Sequence, residues 1–126
     1  MAHFSRLLKV VIDVPDAAHD RELAFWEGAL GQQLPPFDFP EYHGAVLHGL
    51  DFWVLTQRLG DGPARVHLDM HTDDLGAEVA RLERLGADRV REVHGWQVMR
   101  DPAGLLFCVL QSRPGRLHEG NAQRWD

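Results

Sequence analysis

The chain has 126 residues, 44% of them hydrophobic and 25% charged, as in a single globular domain that buries about two thirds of its unfolded surface. Its 13 basic and 19 acidic residues give a net charge of −6 with no Lys/Arg run, which argues against a nucleic-acid partner. The single cysteine, Cys108, excludes an internal disulfide framework and fits a reducing compartment. No apolar segment is long enough for a membrane span, and Lys9 and Asp13 interrupt the apolar run that a signal peptide would need. We therefore expect a cytoplasmic protein that has neither a membrane nor nucleic acid as a partner.

The most informative pattern is an internal repeat with a period of 55 to 58 residues. The segment KVVIDVPD (Lys9–Asp16) is answered by HLDMHTDD (His67–Asp74), 58 residues later. Each copy is followed by an amphipathic stretch ending in Leu-Gly and by a closing apolar segment, DFWVLTQR (Asp51–Arg58) or LFCVLQSR (Leu106–Arg113). This period is too long, and two copies are too few, for a solenoid. The repeat instead predicts two related modules, and residues at equivalent positions become the first candidates for a site.

In chain order, each module begins with a predicted strand and a predicted helix. Residues 6–14 and 65–72 have the alternating, β-branched character of strands. Helices are predicted over about 17–30 and 75–85, because apolar residues recur there at helical spacing. Short carboxylates and glycines are expected to cap them, with Asp16 and Asp74 as N-caps and Gly31 and Gly86 at the C-terminal ends.

The remaining segments are short and rich in turn residues. Residues 33–42 contain three prolines and are predicted to be loop or edge strand. Residues 60–63 are the expected hinge between the modules, and residues 101–104 (DPAG) are a predicted turn. The polar tail from residue 114 is expected to fray unless Leu117 or Trp125 docks on a partner.

Alternation along the two leading strands separates an apolar face from a polar one. Leu8, Val10 and Ile12 share one face in the first strand, as Val66, Leu68 and Met70 do in the second, and we expect a helix to cover this face. The opposite faces carry Lys9, Val11 and Asp13, and His67, Asp69 and His71. An ordinary solvated sheet face would explain polar residues without any function. A ligand cleft is favoured, because His-x-Asp-x-His is an unusual solvent-facing pattern and Trp53 falls on a matching position.

The doubled pattern resembles the vicinal oxygen chelate (VOC) superfamily, which includes glyoxalase I, extradiol dioxygenases and bleomycin resistance proteins. The resemblance covers about residues 6–113 and is carried by VHLDMHTDDL (Val66–Leu75), ERLGA (Glu83–Ala87) and GWQVMRDPAGLLFCVL (Gly95–Leu110). It is similar in detail to an actinobacterial-type glyoxalase-like subgroup with RVHLD and DPxGxxF signatures.

The resemblance implies an α+β fold of two tandem βαβββ modules whose curved mixed sheets surround a cleft, often completed by a second chain. We therefore expect a single glyoxalase-like domain over residues 1–126, with module 1 at about 6–58, module 2 at about 64–113 and a tail at 114–126. A homodimer is expected, since the sheet edges and aromatic loops of one chain need cover.

Metal-using members of this superfamily take ligands from four positions, which correspond here to Lys9, Trp53, His67 and Cys108. Only His67 keeps the ligand type of the family, because tryptophan offers no lone pair and lysine would have to lose its proton. We therefore expect no cofactor, with a divalent metal as the less favoured alternative. A metal, if bound, would use His67 with Cys108 or Asp69.

Two functions remain open. The favoured one is a metal-free, resistance-protein-like domain that binds or sequesters a small organic or natural-product ligand. Its walls would include Trp53, Trp96, Tyr42, Phe37 and Phe39. The predicted ligand-binding residues are Lys9, Asp13, Trp53, His67, Asp69, His71, Trp96 and Cys108. The alternative is a lyase, isomerase or hydrolase in which His67 is the general base and Asp69 orients it.

Overall fold

The computed structural model describes residues 2–126, which form two α-helices, one 3-10 turn and nine strands. The first half contains β1 (His3–Val14), a 3-10 turn (Asp16–Ala18), α1 (His19–Leu30), β2 (Pro36–Phe37), β3 (Phe39–Val46) and β4 (Trp53–Arg58). The second half contains β5 (Arg65–Thr72), α2 (Leu75–Arg84), β6 (Asp88–Val93), β7 (Trp96–Arg100), β8 (Leu106–Gln111) and β9 (Gln123–Trp125). The order βαβββ thus occurs twice, and the predicted α+β class and doubled module are confirmed.

The chain divides into two compact units, one spanning Lys9–His67 and the other comprising Leu68–Asp126 with the residues up to Leu8. Within the Lys9–His67 unit the strand order is β2-β3-β4-β1, and β1 runs parallel to β4. Within the Leu68–Asp126 unit the order is β5-β8-β7-β6, and β5 runs parallel to β8. Each unit therefore joins one parallel pair to antiparallel neighbours, which makes its sheet mixed.

Helix α2 packs closely on its sheet. Asp74 is its N-cap as predicted, because the side chain accepts a hydrogen bond from the Ala77 amide at 3.0 Å. The core below it consists of fully or nearly fully buried side chains with partly buried neighbours: Val79, Ala87, Met99, Val109, Met70, Leu75, Leu82 and Phe107. The apolar stripe of α2 is thus matched by the apolar face of β5, β7 and β8.

Helix α1 begins and packs differently. The prediction that Asp16 is its N-cap is wrong, because a 3-10 turn precedes the helix and the N-cap, Ala18, has no side-chain cap. Asp16 instead accepts a hydrogen bond from the Gly60 amide at 3.1 Å, while its own amide donates to the Gly60 carbonyl at 3.2 Å. The predicted left-handed stop at Gly31 is confirmed by its φ of 65°.

The one fully buried side chain of α1 is a histidine. His19 Nε2 lies 3.0 Å from Thr56 Oγ1 on β4, and the His19 ring lies 5.1 Å from the ring of His43 on β3. Burial lowers the pKa of His19, and the nearby charge of Arg58 lowers it further. His19 is therefore a neutral part of the packing between α1 and its sheet.

The predicted turn at residues 101–104 is confirmed, whereas the prediction for the tail is wrong. The DPAG segment is a turn in which Asp101 Oδ1 accepts from the amides of Ala103 and Leu105. The tail is ordered on its own chain, since β9 pairs with the first residues of β1 and Leu117 is buried. Trp125 Nε1 donates to Ser5 Oγ at 2.9 Å. The expectation that the tail would fray without a partner is wrong, because β1 is longer than predicted and supplies the pairing edge.

The burial of the two faces of β1 and β5 differs from the prediction. Lys9, Val11 and Asp13 are all buried, whereas Val66 is 58% and Leu68 is 44% exposed. A helix therefore does not cover Val66 and Leu68, which corrects the prediction for this apolar face. Among residues 2–126, no helix is long and apolar enough to cross a membrane.

Candidate functional site

The predicted site residues of the Lys9–His67 unit lie on one face of β1 and β4. Lys9 is paired in register with Trp53, and Asp13 with Gln57, so alternation sends these side chains to the same side of the sheet. Lys9 is 8% exposed and Asp13 is 4% exposed. Two side chains of opposite charge are thus withdrawn from water on a sheet face that no helix of this unit covers.

Aromatic rings surround the buried lysine. Lys9 Nζ lies 5.4 Å from the ring centre of Phe37 and 5.8 Å from that of Trp53, within range for cation–π attraction. The two rings lie 4.8 Å apart at an angle of 45°. Phe37 belongs to the two-residue strand β2, so the proline-rich edge segment delivers this ring to the site. Phe37 and Trp53, which the sequence predicts as walls of a site, therefore pack against each other in the folded unit.

Tyr42 continues the same face toward Asp13. Its hydroxyl oxygen accepts a hydrogen bond from Gln57 Nε2 at 3.3 Å, and its ring meets that of Phe39 edge-on at 5.9 Å. Gly44, two residues further on β3, has no room for a side chain, because an added Cβ would lie 2.6 Å from Leu55 Cγ. The face thus has an aromatic and amide side at Tyr42, and Leu55 packs over the backbone of Gly44.

A short polar contact of this unit joins the C-terminal end of β1 to the N-terminal end of β5. His67 Nδ1 lies 2.5 Å from Asp13 Oδ2, and the side chains are 15% and 5% exposed. The other carboxylate oxygen, Asp13 Oδ1, is buried without a hydrogen-bond partner in residues 2–126. A carboxylate at Nδ1 fixes the imidazole ring and directs Nε2 to act as acceptor or ligand atom. The sequence suggested Asp69 for this orienting role, whereas the Nδ1 bond is made to Asp13.

The predicted residues of the Leu68–Asp126 unit also share a sheet face. Asp69 pairs in register with Cys108, and Cys108 with Val98, so Asp69, Cys108 and Trp96 point to one side. Asp69 and Cys108 are buried. Two further contacts complete this face: His71 Nδ1 lies 3.3 Å from Ser112 Oγ, and the rings of Trp96 and His94 lie 5.2 Å apart.

The four positions that hold metal in the resembled superfamily fit an ion poorly here. Lys9 is adjacent in register to Trp53, so the first module brings an ammonium group and an indole to its pair of positions. The second module differs, because Cys108 lies opposite Asp69, two residues beyond His67 on β5. Asp69 and Cys108 are the possible metal ligands that the Leu68–Asp126 unit itself brings together.

The sequence profile of the glyoxalase-like domain family matches residues 9–110. The chain therefore belongs to this family. The glyoxalase-like domain inferred from the sequence is thereby confirmed. Solved structures with a similar fold include a member of the glyoxalase/bleomycin resistance/dioxygenase superfamily. No curated protein sequence matches the chain significantly.

Three solved structures illustrate the range of similar folds. Methylmalonyl-CoA epimerase from Mycobacterium tuberculosis is 17% identical with a TM-score of 0.59, covering 85% of this chain and 88% of that chain. A glyoxalase/bleomycin resistance protein/dioxygenase superfamily member from Vibrio splendidus is 15% identical with a TM-score of 0.53, covering 86% and 99%. 2,2',3-Trihydroxybiphenyl 1,2-dioxygenase from Sphingomonas wittichii is 12% identical with a TM-score of 0.60, covering 87% of this chain and 42% of that chain. At these low identities, the structural similarity shows a common fold alone. That fold serves both an epimerase and a dioxygenase.

Proposed function

We propose that the protein binds a small organic molecule on the sheet face that carries Lys9, Asp13, Trp53 and His67. The supporting observation is that the largely buried Asp13–His67 pair shares a sheet face with the aromatic rings that flank Lys9. Asp69, His71, Trp96 and Cys108, which share the polar face of the other unit, are proposed as the ligand-binding residues of that unit. A resistance-type role, in which a natural product is sequestered, is one form of this function.

The cost of burying charge supports a binding role over a purely structural one. A carboxylate and an ammonium group lose much of their hydration when buried, and apolar residues of similar size would pack with less penalty. Buried charged groups occur at functional sites and in structural ion-pair networks, and the aromatic rings around Lys9 favour the functional interpretation here. Aromatic walls with a few oriented polar groups are also the usual composition of a small-molecule site.

A second candidate function is catalysis of proton transfer next to a carbonyl, as in a lyase, isomerase or hydrolase. The 2.5 Å contact between Asp13 and His67 Nδ1 favours it, because it stabilises the imidazolium that forms when Nε2 takes a proton. In this reading His67 is the general base and Asp13 is the positioning residue. Asp69, which the sequence suggested for orientation, is then a contact further along β5.

The quaternary state and compartment are proposed on separate grounds. We propose a homodimer, since apolar side chains such as Leu105 and Phe25 are largely exposed in the single chain. A cytoplasmic location is proposed because Cys108 is a free, buried thiol. Sedimentation of the protein at micromolar concentration tests the first proposal, and a 14.3 kDa species would contradict it.

The binding proposal is tested by screening metabolites and natural products for thermal stabilisation of the protein, followed by calorimetry on any hit. We expect Trp53→Ala and Asp13→Asn to weaken binding about tenfold or more. His48→Ala and Asp61→Asn, at exposed positions of the same unit, are the matched controls and should leave affinity unchanged. A compound that binds both site variants as tightly as it binds the wild type would contradict the proposal.

The same hit separates binding from catalysis. Prolonged incubation in deuterated buffer, followed by NMR, shows whether the compound is recovered unchanged or exchanges a proton next to its carbonyl. Exchange that is lost in His67→Ala but kept in His48→Ala would support the catalytic candidate. Stoichiometric recovery of unlabelled compound would support binding alone.

A further inference from the structure

A groove of about 400 Å³ lies between α1 and the sheet in the Lys9–His67 unit. Its floor is formed by Val10, Ile12 and Val54, and Trp26 and Leu30 of α1 form one wall. Val10 and Ile12 alternate with Lys9 and Asp13 along β1, so the groove lies on the opposite side of the strand from the proposed ligand site. It is therefore a separate feature that the function proposed above does not use.

The groove is open on the side of β5. Val66, at 58% exposure, and Leu30, at 37%, form its outer edge. Its volume falls within the range of about 300–1,000 Å³ that is usual for small-molecule pockets. An exposed apolar groove is costly in water, and an apolar guest would remove that cost.

Two charged residues, Glu22 and Arg65, line the groove, and they differ in their contacts within the chain. Glu22 accepts a hydrogen bond from Trp26 Nε1 at 3.3 Å, which ties it to the wall. Arg65 is exposed and donates to the Pro63 carbonyl at 3.3 Å, a single bond for a group with five N–H donors. Arg65 makes no ion pair with a carboxylate of residues 2–126, so it presents a positive charge beside apolar walls.

We propose that this groove binds a medium-chain monocarboxylate, with the hydrocarbon chain against Val10, Ile12 and Val54 and the carboxylate on Arg65. A planar guanidinium matches a carboxylate through two parallel N–H···O bonds. One arginine in a chain of net charge −6 favours a single negative charge over a polyanion. The site is thus selective for an amphiphile with one anionic end.

The first test is calorimetric titration of the full chain with decanoate and with decan-1-ol, which differ in charge. Arg65→Gln should weaken decanoate binding about tenfold and change decan-1-ol binding by less than about twofold. Arg91→Gln, an exposed arginine on β6, is the matched control for the lost charge and should have no effect. Equal loss in both arginine variants, or absence of decanoate binding to the wild type, would overturn the proposal.

The second test fills the groove. Val66→Trp adds bulk at an exposed strand position and should weaken both ligands about tenfold or more. Leu30→Trp makes the same test from the helix side, should the first variant fail to fold. Undiminished decanoate binding in a folded groove variant overturns the site. A different result is possible if the wild type is a dimer. If Val66→Trp dissociates that dimer and decanoate does not affect it, the groove would be the surface that binds a second copy of the chain.

The groove proposal and the ligand-site proposal can be tested independently of each other. Trp53→Ala and Asp13→Asn should leave decanoate affinity unchanged, because both residues lie on the other face of the sheet. Loss of decanoate binding in those variants would place decanoate at the Lys9 face and overturn the groove proposal.

Discussion

The two units repeat one order of elements but bury their helices differently. Helix α2 covers a closed core in which Met99 and Val109 are inaccessible to solvent. Helix α1 buries a histidine and leaves an apolar groove open beside Trp26 and Leu30. The difference shows that a repeated order of elements does not ensure repeated packing. One unit has a closed core under its helix, and the other has an open groove.

The units also bury different polar networks. In the Leu68–Asp126 unit, Glu78 accepts from Arg81 Nε at 2.9 Å and from Nη2 at 2.7 Å, and it lies 2.7 Å from His3 Nε2. The Arg81 guanidinium stacks 3.8 Å above the ring of Trp125, which fastens β9 to the unit. In the Lys9–His67 unit the buried charges line a sheet face instead. The first network stabilises the chain ends, and the second lies at the proposed ligand site.

The largest expected effect concerns core closure. Met99→Ala should lower the free energy of unfolding by about 2–5 kcal/mol, because it leaves a cavity in a closed core. Ile12→Ala, in the open groove, and Leu68→Ala, at 44% exposure, should each cost less than about 1.5 kcal/mol. Urea unfolding of the three variants provides the measurement. A loss for Ile12→Ala as large as that for Met99→Ala would mean that the groove is closed in solution.

The next effect concerns Glu78. Glu78→Gln should lower stability by roughly 2–3 kcal/mol, because Arg81 and His3 lose a buried anionic partner. Burial would raise the pKa of Glu78, but hydrogen bonds from Arg81 and His3 outweigh it and hold the pKa below the ordinary value of 4.5. A depressed folded-state pKa stabilises the protein above pH 4.5, and that contribution is lost as the pH falls through the lower, folded-state value.

Unfolding measured across this acid range should therefore show a shallower pH dependence in Glu78→Gln than in the wild type. Glu83→Gln, whose partner Arg89 is exposed, is the matched control and should alter stability by less than about 0.5 kcal/mol. An unchanged acid slope in Glu78→Gln would show that its carboxylate is not the group responsible.

A smaller effect is expected at the proposed site. His67→Ala should cost about 1–2 kcal/mol, because Asp13 stays buried without its partner. Combining it with Asp13→Asn should cost less than the sum of the single changes, since both remove one interaction. Additive costs in a double-mutant cycle would show that the pair contributes nothing to stability. His48→Ala provides the baseline for removing an exposed imidazole.

The smallest expected effect is that of divalent metals. Elemental analysis of protein prepared without metal-affinity steps should find far less than one Zn²⁺, Ni²⁺, Mn²⁺ or Fe²⁺ per chain, because Lys9 and Trp53 are poor ligands. Added Zn²⁺ should shift the melting temperature of neither the wild type nor Cys108→Ser. Near-stoichiometric metal that disappears in His67→Ala and Cys108→Ser would contradict this expectation.

The sequence by itself determined the elements and their family. Alternation predicted β1 and β5, helical periodicity predicted α2, and the repeat predicted two related modules, whose βαβββ order was implied by the family resemblance. These are local signals, set by which side chains recur at the spacing of a strand or a helix. The face shared by Lys9, Asp13 and Trp53 also followed from alternation combined with the repeat.

Only the tertiary structure decided which partners meet. Asp13 and His67 are 54 residues apart, and no local pattern selects Asp13 over the nearer Asp69 as the partner of Nδ1. The ordered tail depends on the long-range contact between Trp125 and Ser5. Whether a helix closes its core is likewise a matter of volumes summed over several strands, which is why α2 seals Met99 while α1 leaves a groove. Periodicity specifies which way a side chain points, and packing specifies what it touches.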